Sequence, residues 1–135
     1  MKFYSLIDKD LLLFTINKFE EITEERKDLS FEQQSLQVST KKIAKGKKFK
    51  AHKHLPLKRE TDFTEEAWVF LSGAVKAIFY DIDDKICYET VLKSGDCAVV
   101  YRAGHSFEVL EDNTILYEFK NGPYFGIEKD KRFIE

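Results

Sequence analysis

The chain reads as an all-β protein, and three observations predict this. From Gly46 onward, apolar and β-prone runs of about six to eight residues recur at short intervals. Turn-forming Gly, Asp, Asn and Ser separate them. No long helical pattern interrupts the series, which argues against a βαβ architecture.

The elements follow in order. Asp8 to Thr23 admits two readings. With Asp8 as a cap and Leu12, Ile16 and Phe19 at helical spacing it is a helix; as a Leu-, Phe-, Thr- and Ile-rich run from Leu11 to Ile16 it is a strand. The helix is the expectation. "EEITEERKDLSFEQQ" is a charged surface connection, and "SLQVSTKKI" offers a short strand. "AWVFLSG" predicts a strand ending at Gly73, and "AVKAIFYD" the next; "IDDK" turns the chain back into "ICYETVL". "KSGD" leads to "CAVVY", "RAGH" opens "SFEVL", and "EDN" turns into "TILYEFK", which runs out into "NGPY". In "NGPYFG" the glycines Gly122 and Gly126 permit positive φ and Pro123 stiffens the exit, a fold-forming role. In the charged tail "EKDKRFIE", Phe133 is the expected apolar anchor.

Short strands joined by tight turns pair antiparallel, and such sheets protect their edges by closing or by stacking. A jelly-roll β-barrel is the economical architecture, with residues 36–135 as the barrel domain and residues 1–35 as a helical or extended segment packing on it or on a partner subunit. Strand alternation places Glu66, Trp68 and Phe70 on one face and His105, Phe107 and Val109 on another. Each set aims one polar group into the interior among large apolar residues, which is how a barrel builds a small-molecule pocket. By the same parity Glu108 points outward, a poor position for an acid or base.

Composition sets the limits. In 135 residues, 43% hydrophobic and 14% aromatic, the chain can bury one ordinary core without metal or disulfide staples. Basic and acidic residues number 22 and 24, so no domain-wide positive field exists to hold nucleic acid. No stretch has the length of a membrane span, and the opening "MKFYSLIDKDLLLF" lacks the pattern of a signal peptide. A cytoplasmic location is expected, with Cys87 and Cys97 as reduced thiols.

Chemistry concentrates in "GKKFKAHKHLPLKRETDFTEEAW". His52 and His54 stand at i and i+2, so on an extended strand both rings leave one face and could meet one ion; in a lysine-rich loop they are equally an exposed pair. Gly46 precedes His52 by five intervening residues, and Glu66 precedes Gly73 by six. This frame resembles the first motif of the cupin superfamily, G-x5-H-x-H-x3-4-E-x6-G, with the departure that eleven residues separate His54 from Glu66. Glu66 is preferred over Glu65 and Glu60 because it alone keeps the spacing to Gly73. The second cupin motif, G-x5-P-x-G-x2-H-x3-N, is partly kept in "GDCAVVYRAGHSFEVLEDN", where Tyr101 replaces proline and His105 arrives one residue early. "AGHSFEVLED", "YEFKNGPYFG" and "KDKRFI" are similar to stretches of a group of small single-domain cupins, some related to proteins of polysaccharide or nucleotide-sugar gene clusters.

The resemblance implies a divalent transition metal, Fe, Mn, Ni, Co or Zn, held by His52, His54, Glu66 and His105 in a pocket open to a small molecule. It also implies homodimers. Arg59, Trp68, Tyr101 and Phe107 are the candidate substrate contacts: a guanidinium that could clamp an anion, two aromatic surfaces and a hydroxyl. Each has a plainer alternative, as a solvated loop residue or ordinary core. Three functions stay open: a metal-dependent isomerase or oxygenase acting on a carbohydrate-derived substrate, a non-catalytic sugar or organic-acid binder, and a purely assembling barrel.

Overall fold

The computed structural model describes all 135 residues, from Met1 to Glu135. Ten strands form three antiparallel sheets. In chain order they are β1 (Lys2–Tyr4), β2 (Leu12–Asn17), β3 (Lys27–Asp28), β4 (Ser39–Thr40), β5 (Glu66–Ser72) and β6 (Ala74–Tyr80). They continue as β7 (Ile86–Lys93), β8 (Cys97–Val100), β9 (Gly104–Val109) and β10 (Ile115–Lys120), followed by the single-turn helix α1 (Ile127–Asp130). The six strands expected after residue 65 all form, with the expected antiparallel pairing.

The larger sheet has the order β1-β2-β8-β5-β10 and the smaller the order β7-β6-β9. A single residue, Gly73, separates β5 in the first sheet from β6 in the second. Its φ of +74° and the closeness of Thr114, into which a methyl group would collide, explain why glycine occupies this corner. The β5–β6 ribbon is flanked on one side by β7 and β8, on the other by β9 and β10, so three bent ribbons cross between the sheets. No backbone pairing joins the two sheets into a closed barrel.

The core lies between the sheets. Phe14 of β2, Trp68 and Phe70 of β5, Phe79 of β6 and Leu92 of β7 pack there in one buried cluster. Phe14 stacks on Phe79 with ring centroids 4.0 Å apart and on Phe3 at 4.8 Å. Truncating an aromatic in such a position typically costs about 3–5 kcal/mol.

A second cluster covers the outer face of the larger sheet. Leu29, Leu36 and Val38, from the segment carrying β3 and β4, pack on Ala67, Val99 and Tyr101. Thr15 donates to the Leu29 carbonyl at 3.2 Å and fastens this flap to β2. The larger sheet is thus buried on both faces at its centre, and every residue of β2 and β8 is buried.

Here the helix expected over Asp8 to Thr23 is corrected to a strand. β2 pairs with β1 and with β8, where Phe14 lies opposite Val100. A strand covered on both sides shows a continuous apolar run instead of alternation, and "LLLFTIN" carries no period that separates it from a buried helix. Asp8 accepts from the Asp10 amide and shapes the β1–β2 turn rather than capping a helix. The N-terminal segment is therefore part of the sheet. Its seat is reinforced by Asp81, which accepts from Ser5 Oγ at 2.5 Å and the Leu6 amide at 2.7 Å, and by buried Asp96, which accepts from Lys18 Nζ at 3.1 Å and the Phe19 amide at 2.9 Å. No helix is long and apolar enough to cross a membrane.

Candidate functional site

β5 begins at Glu66, and alternation sends Glu66, Trp68 and Phe70 into the space between the sheets while Ala67 and Val69 face the outer flap. β9 crosses opposite on the smaller sheet. Its inward residues, His105 and Phe107, meet the Trp68 indole edge-on, with centroids at 5.1 and 5.3 Å. β10 supplies the third side. Its register sets Lys120 directly opposite Glu66 and Glu118 opposite Trp68.

The product is a charged group around one buried carboxylate. Trp68 Nε1 donates a short hydrogen bond to Glu66 Oε1, and His105 Nε2 lies 3.7 Å from the same oxygen. Lys120 Nζ lies 3.1 Å from Glu66 Oε2 and 2.9 Å from Glu118 Oε1. Burial works against the Lys120 charge, but hydrogen bonds to Glu118 and Glu66 outweigh it and raise its pKa above the ordinary lysine value. The hydrogen bond from Lys120 holds Glu118 below the ordinary glutamate value. A carboxylate only 5% exposed would be costly alone; here the cross-strand lysine and the indole offset its desolvation.

Glu66, His105 and Phe107 line a cavity of about 870 Å³ at one end of the two sheets. Such a volume suits a drug-sized or sugar-sized molecule. The C-terminal tail from Lys129 to Ile134 forms its roof. Arg132 grips Asp84 with both terminal nitrogens, at 2.9 and 2.6 Å, and Thr64 Oγ1 donates to Asp130 at 2.5 Å. Ile134 lies against Gly104, where any larger residue would displace it. The residue that anchors the tail on this chain is Ile134; Phe133, expected to dock on the barrel or on a second subunit, does not dock on the barrel and is 80% exposed.

The structure brings together Glu66, His105, Trp68 and Phe107 of the sequence-derived set. It does not bring His52 and His54 to them. Those two rings lie near each other, centroids 5.4 Å apart, on an exposed segment without regular structure, and the nearest polar partner of His52 Nδ1 is the Lys50 carbonyl at 3.0 Å. No group of three His, Cys, Asp or Glu side chains is placed to share an ion. Glu66 in turn has both oxygens engaged, by Trp68 on one side and Lys120 on the other, with His105 Nε2 at 3.7 Å from the first. In this arrangement the four residues do not fit a common metal, because a lysine ammonium occupies the position beside the carboxylate that a cation would need.

The remaining candidates take plainer places. Arg59 is exposed on the loop and its nearest acceptor is the Leu57 carbonyl. Tyr101 borders the cavity, but its hydroxyl turns outward to the Leu29 carbonyl at 3.0 Å and Ser30 Oγ at 3.2 Å. Burial raises its pKa, away from neutrality. Trp68 is 1% exposed and leaves no face for a ligand to stack on; Phe107 does line the cavity. Burial also pushes the thiols up, to about 11 for Cys87 and about 12 for Cys97, which makes both unreactive near neutrality.

Two side chains of this region escaped sequence reasoning. Lys120 was legible only as one end of the i, i+2 pair with Glu118 on a strand; its place across from Glu66 depends on β10 returning to β5. Arg102, whose guanidinium lies over the Phe63 ring, joins two segments with no common motif.

Fold and site together define an antiparallel two-sheet β protein with a charged pocket at one end. No protein-family model, curated protein or solved structure matches the chain.

Proposed function

We propose that this protein binds a small polyhydroxylated molecule, of the carbohydrate-derived class, in the cavity between its sheets. The observation that carries the reading is the Glu66–His105 pair on the wall of that cavity, flanked by Phe107, with Trp68 and Lys120 holding Glu66 from behind the wall. Hydroxyl groups both donate and accept, and this wall offers a carboxylate and an imidazole beside one aromatic face. His105 Nε2 lies 3.7 Å from Glu66 Oε1, beyond direct hydrogen-bond reach, so this nitrogen is left for a ligand hydroxyl. Held there, a hydroxyl or the carbon beside a carbonyl is within reach of an imidazole base, so isomerisation is the reaction the group could support. Binding without turnover needs nothing more than the same contacts.

We further propose a jelly roll of the cupin type, supported by three bent ribbons that cross between two sheets at corners such as Gly73. The metal-bound form that the cupin resemblance implies is a second reading. The proximity of His52 and His54 favours it, and it requires their loop to swing onto His105 and Glu66. For a homodimer, the unpaired β10 edge with exposed Ile115, Tyr117 and Phe119 is the surface that would serve.

The test uses the single tryptophan. Trp68 bonds to Glu66, so its fluorescence should respond saturably to a bound sugar, and Glu66→Gln should weaken that response by about tenfold or more. If a panel of pentoses, hexoses, their acids and their phosphates at ~10 mM leaves Trp68 emission and the His105 ring resonances unchanged, the proposal fails.

A further inference from the structure

Arg102 follows the end of β8 and sets its guanidinium over Phe63, the central carbon 3.6 Å from the ring centroid. Stacking on a ring holds the guanidinium plane while leaving its in-plane N–H forks free. The chain has four arginines, and two of them are engaged by carboxylates, Arg26 by Asp28 and Arg132 by Asp84. Arg102 makes no ion pair and no side-chain hydrogen bond, although it borders the same cavity as Glu66 and His105.

The acidic groups around that cavity are largely committed elsewhere. Asp84 is held by Arg132, Asp81 by Ser5 and backbone amides, Asp130 by Thr64 and Glu66 by Lys120. Lys129 and Lys131, on the roof, also make no ion pair. At the Phe63 end of this cavity Asp62 is the one carboxylate lacking a partner. On the far side of Phe63, Glu60 is paired with Lys58, Glu65 accepts from the Leu36 amide, and Asp10 is the one carboxylate without an ion pair or amide partner. Phe63 and Arg102 also border a second cavity, of about 350 Å³, so the guanidinium stands at the partition between two hollows and is reachable from either.

We infer that Arg102, oriented by Phe63, binds an oxyanion carried by the ligand, a carboxylate or a phosphate, while the hydroxylated remainder reaches Glu66 and His105. A planar fork meeting two oxygens gives a bidentate, charge-assisted contact, which a lysine cannot reproduce. The inference rests on the proposed sugar-binding role of the same cavity, narrows its ligand to acidic or phosphorylated forms, and assigns Arg102 the selection.

Two probes separate the parts. The Arg Nε–Hε resonances, only four in number, report on Arg102; Trp68 fluorescence reports on the Glu66 end. Titration with inorganic phosphate and with acetate should shift the Arg102 resonance saturably and more than the other three. Glucuronate or glucose 6-phosphate should then bind about 10–100 times more tightly than glucose. Arg102→Gln should abolish that preference, and Arg102→Lys should restore only part of it. A larger gain with glucuronate assigns a carboxylate, and with glucose 6-phosphate a phosphate; either supports the inference. It is overturned if the anions leave Arg102 unmoved, or if Arg102→Gln keeps the preference. Sugars that change Trp68 emission without moving Arg102 would leave the pocket reading standing and this one refuted. Phosphate that moves Arg102 while no sugar reaches Trp68 would do the reverse to the pocket, leaving Arg102 as an anion site of its own.

Discussion

His105 Nε2 stands 3.7 Å from Glu66 Oε1 across the space between two different sheets. Glu66 belongs to β5 and His105 to β9, strands that share no backbone hydrogen bond, so only the stacking of the sheets sets this distance. His105 Nδ1 lies 3.4 Å from the Ala103 carbonyl, which leaves Nε2 turned toward the carboxylate.

Glu66→Gln should cost little and Glu66→Leu considerably more. The amide keeps an oxygen for Trp68 Nε1, and Lys120 retains Glu118, so about 1–2 kcal/mol is expected. Leucine leaves the buried indole N–H without an acceptor as well, and about 2–4 kcal/mol should follow. Urea unfolding of both variants measures the difference. Equal stability would mean that the Trp68 hydrogen bond contributes nothing.

Metal uptake should separate the loop histidines from the buried group. Untagged protein titrated with Zn²⁺ or Ni²⁺ is expected to show weak uptake that depends on His52 and His54 and does not respond to Glu66→Gln or His105→Ala. Loss of tight binding in all four variants alike would instead establish a common site and a closed position of the loop.

Asp81 makes the seat of the N-terminal strand sensitive to acid. Burial alone would raise its pKa, but the hydrogen bonds from Ser5, Ile82 and Leu6 prevail and hold it below its ordinary 3.8. A folded value below the unfolded one gives stability that is present above the unfolded pKa and lost as pH falls through the folded pKa. Relative to Asp81→Asn, the wild-type chain should be more stable by about 1–2 kcal/mol at neutral pH, and this advantage should shrink as pH falls below the ordinary aspartate value of 3.8. Thermal melts of both proteins across that range check it, and parallel curves would contradict it.

How much of this was legible depends on the range of each interaction. β5, β6, β7, β9 and β10 are short runs rich in β-branched and aromatic residues, and the turns between them carry Gly, Asp and Asn, which made them legible. β2 lies between the core and the flap, and burial on both faces erased the signal that would have identified it. Glu66 was separable from its neighbour Glu65 by the spacing to Gly73, and the two do face opposite ways: Glu65 accepts from the Leu36 amide at 2.6 Å under the flap, while Glu66 meets Trp68 and His105.

By itself the sequence determined the strands from β5 to β10, their antiparallel sense and the inward residues Glu66, Trp68, Phe70, His105 and Phe107, because side-chain period and turn chemistry act over a few residues; Val109, expected inward with them, is 56% exposed at the end of β9. Tertiary structure alone decided that β2 lies against β8, that Lys120 lies against Glu66, that Arg102 rests on Phe63, that Ile134 roofs the cavity, and that His52 and His54 stay outside it. Those outcomes depend on strand register and on contacts between residues far apart in the chain, and no local pattern encodes either.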